Sequence, residues 1–199
     1  MAMRHRGHAI DLQAIIEADS DPYQIDGLTL TTVVDIGANI GTFTDRVMRL
    51  NPDATVYAYE AEQGNYDLLA ENVGHHANVK AFHGAVWSHD RGCTVMANYG
   101  CSETSDNQFA QTCPSITLDQ MFSLIDHVDL VKVDTEGAEF QFFPAASRQT
   151  MEKMTRIRME IHYDKGDELG LRGFIAKTHD LVVEDVRPNV GGYWFWELK

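Results

Sequence analysis

Short apolar runs alternate with stretches of helical spacing along most of the chain. TTVVDI (31–36) is an apolar run that predicts a strand. TFTDRVMRL (42–50) places Phe43, Val47 and Leu50 on one face of a helix, and Asn51-Pro52 stops it. ATVYAYE (54–60) predicts a second strand. Residues 62–73 predict a helix with Tyr66, Leu69 and Val73 on one side. Further strands are expected at NVKAFHGAV (78–86), VDLVKVD (128–134) and TRIRMEIHY (155–163), with DLVVEDV (180–186) and GYWFWEL (192–198) as a final pair. Strands separated by helices imply right-handed crossovers and a parallel sheet. The last two strands are joined by a connection too short for a crossover, so they are expected to pair antiparallel, at an edge of the sheet. The expected fold is therefore α/β: a seven-stranded, mostly parallel sheet with an antiparallel last strand and helices on both faces. Ile10, Leu12, Ile15 and Ile16 fit a short amphipathic helix. Residues 1–27 are expected to form a helical extension ahead of one domain at 28–199. Residues 92–115 break the rhythm and read as a short strand followed by a long polar loop.

The junction VVDIGANIG (33–41) is the first candidate for chemistry. Gly37 lets the backbone turn sharply at the end of the strand, and Gly41 lets the next helix approach closely. A helix start there offers free N–H groups to an anion. Asp35 is expected to accept hydrogen bonds from a ligand or from the loop. Glu60 ends the second strand, where a carboxylate can accept both hydroxyls of a ribose. A nucleoside with a small charged tail fits this arrangement, either a dinucleotide or S-adenosylmethionine. The spacing is G-x-x-x-G, with Asn39 where the dinucleotide fingerprint wants its middle glycine, which favours S-adenosylmethionine.

Net charge is −14, from 16 basic and 30 acidic residues. So negative a surface disfavours nucleic acid. Three cysteines without a CxxC pair argue against a disulfide framework and for a reducing cytoplasm. No targeting segment and no membrane span are read.

Four segments resemble the FkbM-type S-adenosylmethionine-dependent methyltransferases, a class I, Rossmann-like family. They are VVDIGANIGTFT (33–44), VYAYEAEQGNYDLLAENV (56–73), ITLDQMF with VDLVKVDTEGAEFQFF (116–143), and RMEIHY (158–163). VKVDTEGAE is the most specific of them. The resemblance implies methyl transfer, most often onto a hydroxyl of a sugar or other small natural product. The cofactor set expected is Asp35, Gly37, Ala38, Asn39, Gly41, Glu60, Ala61 and Ala85, with S-adenosylhomocysteine as product. Trp87 and the backbone of 84–86 are the candidates for the adenine contact.

Methyl transfer is an in-line displacement that also requires loss of a proton from the acceptor. His162 is the preferred general base, since imidazole titrates near neutrality. Asp134 either orients the acceptor or serves as the base, with Glu136 and Glu160 beside it and Glu139 one turn further on. No metal is expected; magnesium on these carboxylates and the imidazole is the less favoured addition. Residues 92–115 are expected to cover the acceptor pocket, and a second subunit could complete it. The alternatives are an N-methyltransferase or protein methyltransferase on the same fold, a non-catalytic cofactor-binding protein, and a nicotinamide-dependent oxidoreductase.

Overall fold

A computed structural model describes residues 3–98, 101–105, 111–187 and 191–199. In chain order its elements are α1 (Ala9–Asp19), β1 (Thr32–Ile36), α2 (Thr42–Leu50), β2 (Thr55–Glu60), α3 (Gln63–Val73), β3 (Val79–His83), β4 (Ala85–Val86), β5 (Cys93–Asn98), β6 (Cys101–Ser105), β7 (Gln111–Cys113), β8 (Ser115–Ile116), α4 (Leu118–Met121), β9 (Leu130–Val133), α5 (Glu139–Ala145), α6 (Arg148–Met151), β10 (Arg156–Ile161), α7 (Glu168–Ile175), β11 (His179–Arg187) and β12 (Gly191–Leu198).

The main sheet has seven strands in the order β11-β12-β10-β9-β1-β2-β3. Pairs from β10 through β9, β1 and β2 to β3 are parallel; β12 is antiparallel to both β10 and β11. This is the class I, Rossmann-like arrangement. The antiparallel last pair lies at an edge of the sheet, as expected from sequence, with β11 outermost and β12 one position in. The composition of β12 explains the position: Tyr193 and Phe195 on one face and Trp194 and Trp196 on the other are all buried. A strand apolar on both faces is stable only when covered on both.

Two layers pack against the sheet. On one face Val34, Ile36, Val131, Val133, Phe142, Phe143, Trp194 and Trp196 form the larger core. On the other, Val33, Phe43, Val47, Val56, Leu130 and Phe195 form a second core. Each such side chain contributes about 1.5–3 kcal/mol on burial. Tyr23 and Ile25 belong to this second core. The chain preceding residue 28 is thus packed into the same body as the sheet.

Two segments differ from the sequence reading. The strand expected at 78–86 breaks at Gly84: β3 stays in the main sheet and β4 pairs with β8. The segment expected to be mostly loop at 92–115 contains a three-stranded antiparallel sheet, β6-β5-β7. Parts of that segment, 99–100 and 106–110, lie outside the described residues.

Candidate active site

β1 lies at the point where strand order reverses, with β2 on one side and β9 on the other. In open α/β sheets the crevice beyond the carboxyl ends of such strands is where ligands bind. Here the crevice is an open cleft lined by Gly37, Asn39, Glu60, Ala61, Ala85, Asp134 and Glu136 among others.

The glycine turn shapes one wall. The N–H groups of Gly37 and Ala38 both donate to the Tyr59 carbonyl, at 3.0 and 2.9 Å, and so pin the end of β1 to the end of β2. Gly37 has φ +77°, and a Cβ there would overlap the carbonyl oxygen of Asp134. Only glycine fits both constraints. Gly41 has φ +93°, and a Cβ would stand 3.0 Å from Leu69 Cδ1 and Val73 Cγ1, so α3 packs directly on the turn.

Glu60 is buried at the end of β2. Its Oε2 accepts from the Asn39 N–H at 2.8 Å and its Oε1 from the Glu62 N–H at 2.9 Å. The Asn65 side chain hydrogen-bonds the same carboxylate, and with about four acceptor sites in all the group retains capacity for a ribose hydroxyl. Burial pushes the carboxyl's pKa up, against the pull of the Glu62 and Asn39 N–H groups and the Lys132 charge.

Three residues of the expected cofactor set do not line the cleft. Asp35 is fully buried away from the cleft lining; it accepts from Thr44 Oγ1 at 2.7 Å and pairs with Lys132 Nζ at 3.3 Å. Ala38 and Gly41 shape the turn without lining the cleft. Trp87 is core, whereas Gly84, Ala85 and Val86 line the cleft. β4 supplies this wall because its pairing with β8 turns it out of the main sheet.

A second group of polar side chains gathers at the carboxyl ends of β9 and β10. Asp134 and Glu136 line the cleft, each with about a third of its side chain exposed. Tyr23 Oη donates to Asp134 Oδ2 at 3.3 Å, and Lys132 Nζ is 3.7 Å from the same oxygen. His162 is buried between two carboxylates: Nδ1 lies 3.3 Å from Glu139 Oε1, and Nε2 lies 3.3 Å from Glu136 Oε2. Glu139, fully buried, also accepts from Thr135 Oγ1 and the Gly137 N–H. Burial lowers the imidazole's pKa, but the hydrogen bond and charge of Glu139, with Glu136 and Asp134, outweigh it and raise it to about 9. At that value His162 carries its proton at neutral pH. Glu160 accepts from Tyr193 Oη at 3.3 Å, and burial together with the Asp134 charge pushes its carboxyl up to about 7. Among the described residues, Asp134, Glu136 and His162 form a group whose donor atoms lie within 4.8 Å of one another, close enough to share a metal ion.

Sequence reasoning missed Lys132, Tyr23 and Asn65. Lys132 stands in an otherwise apolar strand, VDLVKVD, and that was its available signal. Asn65 lines the cleft and accepts from Arg6 at 2.8 Å. No local pattern announces a contact across 59 residues.

The sheet order, the glycine turn and the carboxylate ending β2 together define a class I methyltransferase fold. Residues 35–185 match the model of the methyltransferase FkbM domain, and the chain belongs to that family. The family is one of S-adenosylmethionine-dependent methyltransferases. Solved structures with a similar fold include TrmN from Thermus thermophilus, 12% identical, with a TM-score of 0.59 over 93% of this chain and 49% of that one. The chain thus spans about half the length of TrmN. Precorrin-6y C5,15-methyltransferase from Geobacter metallireducens GS-15 is 11% identical, with a TM-score of 0.55 over 92% and 87% of the two chains. The N-methyltransferase NodS from Bradyrhizobium japonicum WM9, solved with S-adenosyl-L-homocysteine, is 6% identical, with a TM-score of 0.55 over 97% and 89%. At these identities the likeness is one of fold. No curated protein matches the chain.

Proposed function

We propose that this protein transfers the methyl group of S-adenosylmethionine to a hydroxyl of a small molecule, a sugar or a natural-product alcohol. The observation that carries the reading is one cleft lined both by Glu60, Asn39 and Ala85 and by Asp134 and Glu136. Glu60 holds the ribose, and the turn at Gly37 leaves room for the methionine end. Asp134 and Glu136 receive the acceptor hydroxyl by hydrogen bonds, and Glu160 beside them takes its proton. The oxygen lone pair then forms the new C–O bond as the S–CH3 bond breaks, leaving a neutral thioether. His162, held as a cation by Glu139 and Glu136, offsets part of the carboxylate charge. A net charge of −14 supports a small neutral acceptor over a polyanion.

The test is calorimetric titration with S-adenosylhomocysteine, followed by incubation of the protein with S-adenosylmethionine and a panel of sugars and alcohols. Micromolar binding that Glu60→Ala abolishes, with a methylated product that Glu160→Gln suppresses, is expected. A folded protein that binds no S-adenosylhomocysteine would overturn the reading. Methylation confined to amines would move the acceptor class from hydroxyl to nitrogen.

A further inference from the structure

We propose that Asp134, Glu136 and His162 form a site for a divalent first-row transition ion of the manganese or iron(II) class, at the acceptor side of the cleft. The inference rests on the methyltransferase reading for its purpose but on separate observations for its existence.

The first is the donor set. Two carboxylates and an imidazole bring donor atoms within 4.8 Å of one another, the span of ligands around one ion. The second is how the imidazole is held. Glu139, outside this group and fully buried, faces Nδ1 at 3.3 Å. It is itself fixed by Thr135 Oγ1 at 2.7 Å and the Gly137 N–H at 2.9 Å. A carboxylate on one ring nitrogen sets the tautomer and leaves the other nitrogen for a metal, the arrangement found around most metal-ligating histidines. Here that other nitrogen, Nε2, faces Glu136. The third is access. Asp134 and Glu136 line the same cleft as Glu60, so an ion there is reached from solvent and stands next to the cofactor. Asp134 Oδ2 is engaged by Tyr23 and Lys132, which leaves Oδ1 for the ion.

The imidazole decides the class of metal. Magnesium prefers an all-oxygen octahedron, whereas one nitrogen among carboxylates suits manganese, iron or zinc. Three protein ligands leave open positions for an acceptor hydroxyl. An aliphatic hydroxyl is a poor acid, and a cation on its oxygen makes the proton easier to remove. The ion takes the place of the proton that His162 otherwise carries at neutral pH.

The experiment titrates manganese(II) chloride into chelator-stripped protein, followed by the loss of the free-ion electron paramagnetic resonance signal. One ion per chain is expected, with binding weakened at least about tenfold in Glu136→Gln, in His162→Ala and in Glu139→Gln. Circular dichroism verifies that each variant is folded, and the partly exposed Glu136 gives the variant least able to disturb the core. Folded wild-type protein that leaves millimolar manganese free would overturn the site. So would binding that all three substitutions leave unchanged, since an acidic surface alone then accounts for it. S-adenosylhomocysteine titration of the same stripped sample separates the two proposals. Cofactor binding without manganese binding removes only the metal site, and manganese binding without cofactor binding removes the methyltransferase reading.

Discussion

Lys132 Nζ donates to the carbonyl oxygen of Gly37 at 2.6 Å, and the same ammonium stands 3.3 Å from Asp35 and 3.7 Å from Asp134. One buried cation thus ties the glycine turn after β1 to the carboxylate that follows β9. Burial pulls its pKa down, and the charges of Asp35 and Asp134 more than restore it. The rings of Tyr23 and Phe43 add their faces at 5.7 and 6.0 Å.

Lys132→Met should therefore cost about 3–5 kcal/mol, because Asp35 is left charged and fully buried. The double variant Asp35→Asn with Lys132→Met should recover much of that loss. Urea unfolding measures both, and a single variant within about 1 kcal/mol of wild type would contradict the argument.

Gly37→Ala meets two obstacles together, a left-handed φ and the carbonyl of Asp134. A cost of about 2–4 kcal/mol is expected, with weakened S-adenosylhomocysteine binding as the turn shifts. Thermal melting and calorimetry read the two effects; an unchanged variant would mean that the turn has more freedom than this geometry allows.

Glu160 and His162 are among the groups that make stability fall as pH rises. Glu160 is raised to about 7, so the folded state holds its proton more tightly, and stability declines from the ordinary carboxylate range up to that value. His162 is raised to about 9, so its contribution is whole below pH 6.5 and is lost as pH passes through 9. The histidine step should amount to roughly 3 kcal/mol. Melting temperatures in chelator-containing buffers from pH 5 to 9.5 should fall, and His162→Ala should remove the upper part of the slope. A flat profile in the wild-type protein would refute this assignment.

Arg6 forks onto Asp11, at 2.7 Å from Nη2 and 3.2 Å from Nε, and its Nη2 also donates to Asn65 in the cleft wall. Asp11 is buried, and this contact holds its pKa below the usual carboxylate range. Arg6→Ala should cost about 1–3 kcal/mol in stability and weaken cofactor binding through Asn65. Calorimetry showing full cofactor affinity would limit the arginine to a role in stability.

Much of the fold was legible because hydrophobic period and glycine placement are local signals. The strand at 31–36, the turn at Gly37 and the carboxylate of Glu60 could be read from a few adjacent residues. What stayed hidden depended on long-range pairing. The partner of Asp35 could not be read because Lys132 lies on another strand. The raised pKa of His162 was not legible because Glu136 and Glu139, which set it, are brought to it from the loop and helix after β9. The inward position of β12 followed from its two apolar faces, but strand order is not written in any one segment. The sheet within 92–115 was obscured by polar composition: Cys93, Val95 and Cys113 join the larger core, but the residues between them are mostly polar.

The placement of β12 also governs how the molecule can be assembled as it is made. In the main sheet β11 has β12 as its neighbour, and β12 separates it from β10. A ribosome delivers β11 first, so a nascent chain holds that strand with no sheet partner until residues 191–198 emerge. Until then β10 presents an open edge, and Ile157 and Met159 lack the cover that Trp196 and Trp194 later provide. The parallel half carrying the cofactor turn is synthesised earlier, but the sheet around it closes only when this late hairpin inserts.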